Sequence, residues 1–120
     1  MATAVKERRK APRGRDNGVF MQLLAKFYRG MGDPSRLRIL EYLLDGERTV
    51  TELVELLGSP QGRVSSHLAC LRWCGFVATR QAGHYVYYRL ADPRVREILA
   101  LGKDMVTANA EHIFSCTRIR

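Results

Sequence analysis

The residues with the most reactive chemistry in this chain are three cysteines: Cys70, Cys74 and Cys116. Cys70 and Cys74 stand four apart, a helical spacing that sets their Cβ atoms roughly 5–6 Å apart on one face. A strain-free disulfide wants about 3.8 Å, so a bridge within one helix is disfavoured. Two thiolates so placed can instead reach one soft metal ion. Two sulfurs rarely complete a site, and Cys116 is the natural third, from the same chain or from a second copy. Three thiolates suit Cd(II), Pb(II), Hg(II) or As(III). His67 and His112 can add nitrogen, and neither is needed. The plainer alternative is that each cysteine is a small hydrophobe, with Cys116 in a frayed end. An odd cysteine count argues against a disulfide framework. His67 is within helical reach of Cys70, yet no third orienting group or oxyanion loop is in view, so no enzyme is expected.

The helix holding the thiol pair is expected from Pro60 to about Trp73, with Ser59 as its cap and Gly75 closing it. A short helix precedes it, Thr49–Leu57, opened by the capping box Thr49–Glu52 and ended by Gly58. Upstream, Phe20, Leu23, Leu24, Phe27 and Met31 recur at helical steps over about 18–31 and suit either core packing or a dimer seam. Asp33-Pro34 starts a second helix that runs to about Leu44. Downstream the period changes. Val77–Arg80, a turn at 81–84 and Tyr85–Leu90 read as a two-stranded hairpin. Asp92-Pro93 opens a last helix to about Phe114, with Val95, Ile98, Leu99, Met105 and Val106 on its apolar side.

Two short helices joined by a tight glycine turn and followed by a hairpin give the winged helix-turn-helix order. The expected fold class is mainly α with a small β-hairpin, in one domain over 17–120 after a basic, disordered tail at 1–16. Formal net charge is +8 and the pI about 9.9, the balance of a nucleic-acid binder. On the second helix Val64, Leu68 and Leu71 share one side, which must be core. Gly62, Ser65, Ser66, Ala69 and Trp73 lie broadly opposite. The expected DNA contacts are Gln61, Gly62, Arg63, Ser65, Ser66 and His67 on this helix, with Arg80, His84 and Arg89 on the hairpin. Arg63, His67, Cys70 and Cys74 share a flank between the core and DNA sides, so ligands bound there are coupled to how the helix meets DNA. No apolar run reaches the roughly 18 residues of a membrane span and no secretory h-region is present, so the chain is expected in the cytoplasm.

Asp33-Pro34-Ser35-Arg36-Leu37-Arg38-Ile39-Leu40, the block from Thr49 to Leu68 with its Val64-Ser65-Ser66-His67-Leu68 core, and Leu71-Arg72-Trp73-Cys74-Gly75-Phe76-Val77 together resemble the ArsR/SmtB repressor family. The resemblance covers about residues 18–110. It implies a homodimer with the first and last helices at the interface, which assigns Phe20, Leu23, Leu24, Phe27, Ile98, Leu99, Met105 and Val106 to that seam. It also implies operator binding without effector and release when metal binds. His67-Leu68-Ala69-Cys70-Leu71-Arg72-Trp73-Cys74-Gly75 is similar to the reading-helix cysteine pair of the CmtR-type cadmium- and lead-sensing branch. That branch takes a third cysteine from the C-terminal region, and Cys116 matches it in kind. The third helix lacks the Cys-Val-Cys pair of other branches. The last helix has Asp104 and His112 but not the full set of zinc and nickel sensors. Mercury is a competitor, since three thiolates suit Hg(II) as well. Control by thiol oxidation or As(III) is the alternative to a divalent metal.

Overall fold

The computed structural model describes residues 17–119. The basic tail expected at 1–16 lies outside the described residues. The order is α1 (Asn17–Met31), α2 (Pro34–Leu43), β1 (Arg48–Thr49), α3 (Val50–Leu57), α4 (Gln61–Trp73), β2 (Val77–Ala82), β3 (Tyr85–Leu90) and α5 (Pro93–Ser115).

Local chemistry sets most of these boundaries. The Asp33 carboxylate accepts from the backbone N–H groups of Ser35 and Arg36 at 2.9 and 3.1 Å, and Pro34 fits the first turn of α2. The Thr49–Glu52 capping box is formed in both directions, at 2.8 and 3.2 Å. Ser59 does not cap α4. Pro60 takes that position, its carbonyl accepting from the N–H groups of Arg63 and Val64 at 3.1 Å each, with no side-chain cap. At the far end Gly75 adopts φ +87°, and Phe76 N–H bonds back to Leu71 O at 2.9 Å. This six-residue closure needs a left-handed residue, and it drops Phe76 into the core.

The sheet differs from the expected hairpin in two ways. β2 runs to Ala82, so only Gly83 and His84 make the turn, with Gly83 at φ +62°. A third strand, β1, pairs with β3 through Arg48–Tyr88 and Thr49–Tyr87, giving the order β1-β3-β2. Two residues are too few to show a period in sequence, and Thr49 also serves as the α3 cap.

The core joins Ile39, Leu40 and Leu43 of α2, Leu53 of α3, Val64, Leu68 and Leu71 of α4, then Phe76, Val77, Val95 and Leu99. Phe27 of α1 leans on Phe76 with ring centroids 4.7 Å apart. Leu99 was assigned to the dimer seam and is instead core, 5% exposed. Helical periodicity shows which face is apolar but not what covers it. Phe20, Leu24 and Ile98 are half-buried, whereas Leu23, Met105 and Val106 are exposed. Beyond Leu99, α5 leaves the core, bends at Asn109 (φ −128°, ψ 24°), and exposes Leu101, Ile113 and Phe114. The radius of gyration is 16.0 Å, against about 13 Å for a compact chain of about 100 residues. The excess reflects this arm.

Candidate nucleic-acid interface and thiol site

α4 sits on the core through Val64, Leu68 and Leu71, each fully buried. Gly62, Ser65, Ser66, Ala69 and Trp73 therefore face solvent, as do Gln61 and Arg63. The helix carries Arg63 and Arg72 and no acid. Its first turn has no side-chain cap, which leaves N–H groups directed outward at the positive end of the helix dipole, an arrangement that favours phosphate. Small residues at Gly62, Ser65 and Ser66 allow close approach to a groove.

His67 departs from that face. Its Nδ1 lies 3.3 Å from Arg36 Nη1 and its Nε2 3.9 Å from Asp33 Oδ2, with the side chain 19% exposed. The ring belongs to the joint between α2 and α4, not to the DNA side, because its helical angle lies nearer the core than that of Ser66. Arg36 reaches further: its Nε donates to Gly30 O at 2.6 Å and its Nη2 to Arg29 O at 3.2 Å. One guanidinium thus ties the end of α1 and the start of α2 to the middle of α4. The Asp33 carboxyl is held below its ordinary range, first by the Arg36 N–H bond and further by the Arg36 and His67 charges.

On the wing, His84 and Arg89 are exposed. Arg80 is not free. It grips Glu47 through Nε at 2.9 Å and Nη2 at 2.7 Å, and its guanidinium lies 4.9 Å from the Tyr87 ring centroid. Its geometry fixes the wing to the strand β1 side of the domain, and a phosphate would have to compete with Glu47. Sequence reasoning missed Glu47, since 33 residues separate it from Arg80 and no local pattern links them.

Cys70 and Cys74 are both half-buried. The Cys74 thiol is pushed above its ordinary value, first by burial and then by Cys70 beside it. The two thiols are neighbours one turn apart on α4. Cys74 also abuts α1. A Cβ placed on Gly30 would lie 3.5 Å from Cys74 Sγ and 3.2 Å from Phe76 Cε2. Gly30 is the close approach that lets α1 touch the thiol site, and no sequence signal marks it. Phe76 is 1% exposed and cannot yield, so Gly30→Val is expected to destabilise the fold by about 2–3 kcal/mol through overpacking. A urea melt unchanged from wild type would show that the contact is slack.

Cys116 is exposed at the end of α5. Among the described residues no three His, Cys, Asp or Glu side chains come together to hold a metal ion. One chain thus brings Cys70 and Cys74 together and leaves Cys116 apart from them.

Residues 33–79 match the family of the bacterial regulatory protein, arsR family. The chain is 44% identical over 95 residues to the probable mercury resistance operon repressor of Streptomyces lividans, a match covering 79% of this chain and 76% of that one. The chain belongs to the ArsR family. This ArsR-family chain is also 43% identical over 76 residues to the transcriptional regulator CmtR of Mycobacterium tuberculosis, covering 63% of this chain and 64% of that regulator, just under two thirds of its length. In structure it is similar to Mb0332 from Mycobacterium bovis, described as a homodimeric winged helix-turn-helix DNA-binding domain. The TM-score is 0.74 at 27% identity, covering 86% of this chain and 95% of that one. ArsR-family proteins are transcriptional regulators, and the winged helix-turn-helix expected from the sequence is the fold observed. No helix among the described residues is long and apolar enough to cross a membrane.

Proposed function

We propose that this chain is a transcriptional repressor that binds operator DNA as a homodimer in the cytoplasm and leaves it when a thiophilic metal ion, Cd(II), Pb(II) or Hg(II), is bound. The observation that carries the reading is the Cys70–Cys74 pair, one turn apart on the flank of α4 between its core side and its small, solvent-facing side. Two sulfurs of this kind are soft donors, and Cys74 lies in a partly desolvated setting that suits a thiolate–metal bond. Cys70 and Cys74 would hold the ion, with Cys116 as third donor from a second copy of the chain. When bound, the ion supplies strong links between sulfurs that are otherwise held only by packing.

The chain's own residues do the rest. Cys74 packs against Gly30, so a shift of its sulfur is felt at the end of α1. The exposed apolar residues of α1 and of the α5 arm form the seam between copies, and the seam sets how two α4 helices are presented. The relative named as a probable mercury resistance operon repressor supports a metal effector.

A gel shift on a selected operator duplex, under strict reduction, tests this. Saturating Cd(II), Pb(II) or Hg(II) is expected to weaken binding about 5–150-fold, a coupling of about 1–3 kcal/mol. Undiminished binding at saturating levels of all three ions would overturn the proposal, and release by peroxide alone would replace it with thiol oxidation.

A further inference from the structure

Trp73 is the residue of this fold that its protomer leaves most conspicuously bare, 92% exposed at the last turn of α4. An indole is costly to leave in water, and its large apolar area is normally covered in the state that matters. Its direction is set by the core. At 100° per residue, Val64, Leu68 and Leu71 centre on one side of α4, and Trp73 points almost diametrically away from them. Gly62, Ser66 and Ala69 lie within about 40° of the same line. The outermost ridge of α4 is therefore three small residues followed by one very large one.

That ridge is a profile that a double helix fits. The small residues occupy the end with free N–H groups, where the helix enters a groove. Trp73 stands roughly 16 Å further along the axis from Gly62, beyond the roughly 12 Å width of the major groove. A side chain so placed would meet the sugar–phosphate wall and not the bases. Charge complementarity selects the occupant: Arg63 and Arg72 are exposed on the helix, it bears no acid, and the chain carries +8. A polyanion is attracted where a second copy of the same basic helix is repelled. The apolar residues suited to a second copy lie on α1 and the α5 arm, and the thiols that a second copy's Cys116 would join lie about 60–100° round the helix from the Trp73 ridge.

We propose that Trp73 is a DNA-contact residue, packing its ring on the deoxyribose wall of the groove and donating its indole N–H to a phosphate. This rests on the operator-binding reading above. Such a contact positions α4 along the backbone without reading a base.

The chain contains a single tryptophan, so its emission reports this site alone. The experiment uses the reduced, metal-free full chain with a fluorophore-labelled duplex selected from a randomised pool. Anisotropy of the label reports binding, and Trp73 emission reports burial. The DNA-free protein is expected to emit as a solvated indole, with no change on dilution, and the emission is expected to shift blue or quench as anisotropy rises. Trp73→Ala is expected to weaken binding about 10-fold, Trp73→Phe less, with the melting temperature unchanged within about 4 °C. Rising anisotropy with unaltered emission overturns this inference and leaves operator binding intact. Emission already blue without DNA also overturns it, because another part of the protein then covers the ring. No rise in anisotropy removes the operator reading and this inference with it.

Discussion

Replacing Cys74 by serine is expected to lower the affinity for Cd(II) or Hg(II) on the order of 100-fold or more, because a soft donor is exchanged for a hard one of nearly the same size. Cys70→Ser is expected to do the same, since the two thiols lie one turn apart on the same flank of α4. The measurement is a metal titration followed by ultraviolet thiolate-to-metal bands, on wild type and on each Cys→Ser variant. Loss of the bands in Cys70→Ser and Cys74→Ser, with operator binding kept but no longer relieved by metal, is the expected result. Cys116→Ser separates the third donor from the pair: its bands should weaken, with those from Cys70 and Cys74 remaining. The pH dependence has a definite sign. Burial, then Cys70, pushes the Cys74 thiol up, so its proton must leave before the sulfur can coordinate. Metal affinity should therefore climb as pH rises from neutral, by up to about tenfold per unit for each proton displaced. A Cys74→Ser protein that binds metal as wild type does would end the sensing proposal.

Leu68→Ala is expected to cost about 3–5 kcal/mol, through lost burial and the cavity left behind. Leu68 is fully buried in the middle of α4, among residues from α2, α3 and β2. A domain of this size has only about 5–15 kcal/mol in hand, so this one change removes a large share of it. Ser66→Ala, two residues away on the exposed side, is expected to change stability by less than about 0.5 kcal/mol. Urea melts of the two variants read the difference. Equal midpoints would mean that α4 is not seated on the core as described.

Much of this was legible in the residues themselves. The core triad of α4 followed from a 3.6-residue period, because a helix can hide only one side. Asp33, Thr49, Gly58 and Gly75 marked helix ends through local chemistry that needs no tertiary partner. What could not be read depended on distant pairings. β1 has two residues and exists only because β3 offers it a ladder. Arg80 looked available for phosphate until Glu47 was brought beside it by the sheet. His67 shares a flank with Arg63, yet the ring is drawn in by Arg36 and Asp33 from α2. Leu99 and Met105 share one apolar pattern, and only the point where α5 leaves the core separates them, with Leu99 5% and Met105 67% exposed. Gly30 gave no sign, because a glycine needed for a neighbour's sulfur looks like any other in a helix.

The Arg36 fork bears on how far apart two half-sites can lie. With one side chain clasping the carbonyls that end α1 and also the ring of His67, α4 is tied to α1, the helix on which two copies would meet in the proposed dimer. In that dimer each copy would act as one arm of a pair of callipers, the distance between the two points would be set at the pivot where the copies join, and an inducer that alters operator fit would turn that pivot and leave each arm unbent.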